Sequence, residues 1–420
     1  VPQQVSVDPS RRLSRRQVYR RRRILVFGGV GAVLVFFLYV VGSLVAPLPA
    51  TAAATDQEKA IVQPAAQLAW PGYGSAAITA PDVPNATQAH GGTASVPIAS
   101  ITKTVTALVV LDKKPLNGDD QGPSIAFTQA DVDIWHEVVA AGGSWAPVQA
   151  GTKMTEKEAL TAMLLPSANN YAISLANWAY GSESAYVSAA NGWLKAHGFT
   201  ATRIVSADGL DPGNVSNTTD LIGIGKLVLA SPVLSSIVSQ KTATLPGAGA
   251  QDNTNTLLGY SGVDGIKTGN TDQAGNCLLF SAQLPVGGSN TVRVLGVVLG
   301  APTHDDLWAG VKGLLDSMKA GFHEVTAVTK GQEFGTYTTA WGATSKLVAT
   351  TTKTFVVWSD TPIEVSLESK PLHSGFKGDT VGTARFTLNG KTETVDLALT
   401  KDVPDPGFLW RLAHPGGLGA

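Results

Sequence analysis

An α/β sandwich followed by a small all-β domain, set behind a membrane-spanning N-terminal segment, is the architecture that this chain of 420 residues predicts. Three observations carry it. Residues 24–48 are 25 consecutive residues without a charge. Between about 61 and 325, helical periodicities precede and follow a group of late apolar strands. Beyond 328 the helical patterns thin out, and Thr- and Val-rich alternation takes over.

The N-terminal region is read from its charge. Residues 1–23 carry Arg11, Arg12, Arg15, Arg16 and Arg20 to Arg23 against one acid, Asp8, so a net charge of −1 hides a strongly basic end. Such a cluster raises nucleic-acid binding as a candidate. The apolar run that follows argues against it, being long enough at about 1.5 Å per residue to cross a hydrocarbon layer roughly 30 Å thick. Arginines on its N-terminal side predict a cytoplasmic tail (1–23), a single-pass anchor (24–48) and everything later outside the membrane. A cleaved signal segment is the other reading, with Ala50, Ala52 and Ala54 as small residues near a cut. Residues 49–60 read as a polar linker.

The segment 61–328 is expected to form the main domain. Ser100 to Leu111 reads as a helix, with Ile101, Val105, Leu108 and Val109 on one side, ended by Lys113-Lys114-Pro115. Glu156 to Leu165 is a second, broken by Pro166, and Ala172 to Tyr180 a third. Val263 to Thr268 reads as a strand entering a turn. Cys277–Ala282 and Val292–Leu299 have the short apolar runs of buried strands, and Ala309–Phe322 is a closing helix. In the tail, alternation at Ala384-Phe386-Leu388 and Val395-Leu397-Leu399 flanks Asn389-Gly390, which predicts a hairpin. Strands are also expected over 346–359 and 363–367. The β domain is therefore drawn at 329–404, with Trp341, Trp358 and Trp410 read as its core rather than as a glycan platform, and 405–420 as a tail.

Composition excludes several functions. The single Cys277 rules out an internal disulfide framework and reads as a small core residue. The seven histidines, at 90, 136, 197, 304, 323, 373 and 414, form no ligand pair, so no metal or other cofactor is expected.

Chemistry is concentrated in Ser100-Ile-Thr-Lys103, Ser167-Ala-Asn169 and Lys267-Thr268-Gly269, in that order. Singly they are weak: Ser374-Gly-Phe-Lys377 repeats the first spacing, and Lys-Thr recurs at 103, 241, 353 and 391. Alone, Ser100 reads as a helix cap, Ser167 and Asn169 as polar loop residues, and Lys267-Thr268-Gly269 as a strand end. Together they read as a nucleophile with its proton carriers. A serine needs a base, and residues three apart on a helix share a side, so Lys103 reaches Ser100. Burial and the charge of Lys267 would lower its pKa toward a useful range. Unpaired N–H groups at the start of the helix suit an oxyanion hole. Ser167 can relay a proton to a leaving amine, and Asn169 can hold Lys103 and a substrate carbonyl. Lys267 and Thr268 can bind a carboxylate, with Gly269 admitting the substrate backbone.

In these motifs the chain resembles the low-molecular-mass penicillin-binding proteins, serine-type D-alanyl-D-alanine carboxypeptidases. The likeness extends to Pro97–Lys103, Gly151–Asn170, Asp208-Gly-Leu-Asp211 with Thr219-Asp220, Asp264–Gly275 and Arg293–Gly300. It implies a penicillin-binding/serine β-lactamase fold, a five-stranded antiparallel sheet between helices. It also implies Ser100 as the acylated nucleophile, Lys103 as its base and Ser167 with Asn169 as the second element. Lys267 and Thr268 would grip the carboxylate, beside Gly269, with the N–H groups of Ser100 and Asn270 as the oxyanion hole. The partners implied are peptidoglycan stem peptides ending in D-Ala-D-Ala, β-lactam antibiotics as covalent inhibitors, and the bacterial cytoplasmic membrane, with no nucleic acid.

The chain departs from the family at Asn170, where members commonly have an acid, and across Ala89–Ser95, which match weakly. It departs again in carrying its anchor at the N-terminal end rather than on a C-terminal amphipathic helix. A DD-endopeptidase, a β-lactamase or a non-catalytic wall-binding protein on the same fold are the alternatives.

Overall fold

The computed structural model describes residues 14–55, 58–287 and 290–418, so most of the basic tail expected at 1–23 lies outside the described residues. Helix α1, Arg15–Val45, opens with a capping box between Ser14 and Gln17 and ends just before Pro47. It begins within the arginine cluster, earlier than the apolar run alone suggests. Its apolar side chains from Ile24 to Val45 are largely exposed, and its length and composition suit a membrane span.

Beyond α1 the chain forms two compact units. The larger comprises Val62–Val325 and Phe355–Pro362. Its centre is a five-stranded antiparallel sheet built from β1 (Ser75–Thr79), β2 (Gln88–Gly91), β3 (Val263–Thr271), β4 (Gly275–Gly287) and β5 (Asn290–Ala301), in the order β3-β4-β5-β1-β2. Both faces are covered, which explains why β4 and β5 read as continuous apolar runs rather than alternating ones. Cys277, Leu279, Leu295 and Val297 pack on one face among helices α2 (Thr102–Lys113), α3 (Gln129–Ala140), α4 (Glu156–Leu164), α5 (Asn169–Tyr180), α6 (Glu183–Ala196), α7 (Thr218–Ala230) and α8 (Pro232–Val238). Leu278, Phe280, Val294 and Val298 pack on the other against α9 (His304–Ala320).

Several expected boundaries shift. The helix expected at 100–111 is a 3-10 turn, Ala99–Ile101, followed by α2, because strand β3 and the 208–209 loop crowd its first residues. Helix α5 starts at Asn169, so Asn169 is a helical residue rather than a loop one. Strand β3 continues to Thr271, which places Lys267-Thr268-Gly269 inside a strand rather than at its end. Helix α9 begins at His304, capped by Thr303, and Phe322 lies beyond it.

The second unit comprises the segments up to Ile61, Thr326–Thr354 and Ile363–Ala420. Its six-stranded sheet runs Ala54–Thr55, β6 (Glu333–Thr338), β7 (Thr344–Ala349), β10 (Lys391–Leu399), β9 (Thr380–Leu388) and β8 (Glu364–Ser369). Asn389 and Gly390 both take positive φ between β9 and β10, the geometry of a type I′ hairpin. Residues 49–60 are not simply a linker: Thr51 bridges Leu372, Ala54–Thr55 pair with β6, and Ile61 bridges Ile363. A two-residue strand is too short to show alternation in sequence. Trp358 also corrects an expectation, since it packs against Phe322 in the larger unit rather than in the β core. Trp341 meets Trp410 of α10 (Gly407–Ala413), and Arg411 of α10 donates to the Ala46 carbonyl at 2.7 Å just past the end of α1.

Phe280 is fully buried with its ring over Gly296, its cross-strand partner. Phe280→Ala is expected to cost about 3–5 kcal/mol, since little else can fill that space. Chemical denaturation of the full chain in detergent measures it, and a loss below about 1 kcal/mol would contradict this account of the core.

Candidate active site

The three motifs converge where the α2 turn, the start of α5 and the free edge of β3 meet. Ser100 sits in the 3-10 turn, half-buried, after Ala99 at φ +46°. Two glycines allow that turn to be gripped closely. A Cβ at Gly209 would lie 2.1 Å from the Ala99 carbonyl oxygen, and one at Gly269 would lie 2.8 Å from that of Ile98. Neither position tolerates a side chain without moving the turn.

Lys103, one helical step on, is 0% exposed. Its Nζ donates to Ser100 Oγ at 2.8 Å, Asn169 Oδ1 at 2.7 Å and the Asp208 carbonyl at 2.7 Å. Burial pushes its pKa down to about 8, against a smaller upward pull from the Asp208 carboxylate. Near neutral pH a usable fraction of this amine is therefore deprotonated and able to accept the Ser100 proton.

Lys267 is also buried, 1% exposed, with Nζ donating to the Thr268 carbonyl at 3.1 Å and to Thr268 Oγ1 at 3.4 Å. Burial, and secondarily the charge of Lys103, hold its amine well below the usual lysine range. The charge of Lys103 thus disfavours charge on Lys267. Thr268 Oγ1 is 2.6 Å from Thr254 Oγ1, and Thr254 N–H donates to Leu165 O, which ties this end of β3 to the segment leading into Ser167.

Ser167 is buried at φ +65° between α4 and α5. Asn169 N–H donates to Ser144 O at 2.8 Å. Asn170, the departure from the family pattern, accepts from Ala146 N at 3.2 Å and donates to Ala146 O at 2.9 Å. An amide can make both bonds and a carboxylate only the first, so Asn170 supports the 144–146 loop in its own way.

A cleft of about 220 Å³ is lined by Ser100, Ser167, Thr268, Gly269 and Asn270, together with Ser144, Thr254, Cys277, His304 and Leu307. All eight residues expected from the sequence thus lie in or directly beneath one site, Lys103 and Asn169 through their hydrogen bonds and Lys267 through Thr268. Sequence reasoning missed Thr254 and the place of His304 in the cleft, while the Asp208 carbonyl lies in the Asp208-Gly-Leu-Asp211 stretch of the family likeness, where Gly209 allows the close approach. Cys277 is buried at the cleft floor with its thiol pushed up to about 11 by desolvation, which makes it a poor nucleophile. Among the described residues no group of three or more His, Cys, Asp or Glu is arranged to hold a metal ion.

Comparison with known proteins matches this region. The family model for D-alanyl-D-alanine carboxypeptidases, peptidase S11, matches residues 87–303. The D-alanyl-D-alanine carboxypeptidase DacA of Escherichia coli K12 is 28% identical over 326 residues, 75% of this chain and 79% of that protein. A D-alanyl-D-alanine endopeptidase of Pseudomonas aeruginosa is 36% identical over 196 residues, 44% of this chain and 59% of its own. Among solved structures, penicillin-binding protein 5 of Haemophilus influenzae superposes with a TM-score of 0.54 at 23% identity, over 82% of this chain and all of that one. The Streptomyces K15 DD-transpeptidase gives 0.51 at 25% identity, over 61% and 98%.

Gly269→Ala tests the grip on the nucleophile's turn, because the added carbon meets the Ile98 carbonyl and lies 3.2 Å from Ser100 N. The expected result is at least a roughly tenfold slower covalent labelling of Ser100 by benzylpenicillin, read by intact mass, from misalignment of reacting groups. Labelling at the wild-type rate would mean that β3 does not position the turn.

Proposed function

Because the chain belongs to the D-alanyl-D-alanine carboxypeptidase family, it is a serine hydrolase that removes the terminal D-alanine of peptidoglycan stem peptides, and we propose that Ser100 is the residue it acylates. Penicillin acylation fits the same family. The observation that carries the assignment is the Lys103 amine, desolvated and bonded at once to Ser100 Oγ, Asn169 Oδ1 and the Asp208 carbonyl.

In this reading the neutral fraction of Lys103 takes the Ser100 proton as Oγ attacks the carbonyl carbon of the penultimate D-alanine. The N–H groups of Ser100 and Asn270 stabilise the oxyanion. The tetrahedral intermediate collapses, the peptide C–N bond breaks, and Ser167 passes a proton to the departing amine of D-alanine. Water then cleaves the acyl-serine ester and releases the shortened peptide. Lys267, Thr268 and Thr254 hold the terminal carboxylate beside Gly269.

The main domain at 61–328 would hold this machinery, with 329–404 as an accessory β domain. The arginines N-terminal to the apolar run of α1 favour a cytoplasmic N-terminal side and an extracytoplasmic catalytic unit, with α1 as anchor. Endopeptidase activity is the second reading, favoured by the 36% identical Pseudomonas relative. Release of free D-alanine from a linear pentapeptide, against cleavage of a cross-linked dimer, separates the two.

Ser100→Ala is expected to abolish the penicillin adduct, and an adduct that persists would move the nucleophile elsewhere. The pH dependence follows from the lowered pKa of Lys103, about 8. Its neutral form is the active one. Acylation should therefore rise about tenfold per pH unit below that value and level off above it. A flat rate between pH 6 and 9, measured by stopped incubation and mass spectrometry, would remove Lys103 as the base.

A further inference from the structure

The cleft has a wall that the motifs do not account for, and this inference rests on the carboxypeptidase reading while adding a residue to it. Cross-strand partners in an antiparallel pair share a face of the sheet. Lys267 lies opposite Leu279, whose face packs in the same core as α2, so its side chain belongs with Lys103. Thr268 lies opposite Leu278, which packs in the other core with Leu307 of α9. Thr268 and Asn270 are therefore on the α9 side. His304, the first residue of α9, is one turn before Leu307, and both line the cleft with Thr268 and Asn270.

The Lys267 amine approaches from beneath, turned to the Thr268 carbonyl and to Thr268 Oγ1, and burial, then the charge of Lys103, lowers its pKa. A carboxylate seated at Thr268 has acceptor positions left over for a donor from the open side. Of the residues lining the cleft, His304 alone carries a ring N–H. It is exposed at the helix start and lines the cleft, with its ring centroid 6.1 Å from that of Trp308.

We propose that His304 is a specificity-determining residue that donates a ring N–H to the terminal carboxylate of the substrate from the α9 side of Thr268, so that acyl donors ending in a free acid are preferred.

The test uses the full chain in detergent, with benzylpenicillin and its methyl ester as a probe pair that differs only in the carboxylate. Rates of adduct formation are followed by intact mass for wild type, His304→Ala and His304→Arg. The loss of one charge-assisted hydrogen bond should slow His304→Ala roughly tenfold with the acid and less than about twofold with the ester. His304→Arg, which restores an N–H donor, should recover most of the acid rate. Equal slowing on acid and ester, or no slowing on either, with the wild-type adduct intact, would overturn the role of His304 alone. A wild-type chain that forms no adduct with either probe would overturn the reading of the cleft, and His304 with it.

Discussion

A lysine taken out of water loses several kcal/mol of hydration unless hydrogen bonds and neutralisation offset it. Lys103 has lost that hydration completely, and much of the larger unit is arranged around its amine. Helix α2 supplies it, the start of α5 offers Asn169, and the loop at Asp208 offers a backbone carbonyl. Beside it Lys267 adds a second desolvated amine, whose charge Lys103 disfavours. A surface lysine would stay protonated and could not take a proton from serine at neutral pH. The helices between the sheet and solvent therefore serve reactivity as well as stability.

The same packing holds backbone in conformations that it would not choose. Ala99 and Ser167 both take positive φ, uncommon for residues with a side chain, and each adjoins or carries a hydroxyl of the cleft. Strain of this kind persists because neighbours over-determine it. Gly209 and Gly269 press on the turn at Ala99, and the bonds of Asn169 to Ser144 and of Asn170 to Ala146 hold the segment after Ser167. Asn170, a departure from the family in sequence, is thus fully bonded in place.

Much of this was legible in the sequence, for physical reasons. The three motifs announce themselves because their chemistry demands particular residue types in a fixed order. Strands β4 and β5 show as apolar runs because both their faces are covered, and Asn389-Gly390 marks its hairpin through the φ values that it permits. What stayed hidden depends on partners distant in the chain. Thr254 becomes part of the site only by meeting Thr268 across a fold, and Trp358 looks like a strand residue of the β unit until Phe322 claims it. The start of α5 at Asn169 was obscured because Pro166 and the polar triplet read as a loop, whereas Ala168 in extended backbone begins the helix.

The pairing of Ala54–Thr55 with β6, and of Ile61 with Ile363, bears on the order in which the chain can fold. Contacts of such long sequence separation form slowly, because a large loop must close before they stabilise anything. Residue 54 leaves the ribosome with the anchor, yet its partner at 336 follows the whole of the catalytic sequence. The larger unit, whose segment Val62–Val325 is nearly continuous, can collapse first, apart from the late addition of Phe355–Pro362. The six-stranded sheet can close only once β10 has been made, because it joins Ala54–Thr55 to strands beyond residue 333. A chain cut short before β10 would carry every catalytic group and still leave the pair Ala54–Thr55 and β6 on an unfinished sheet.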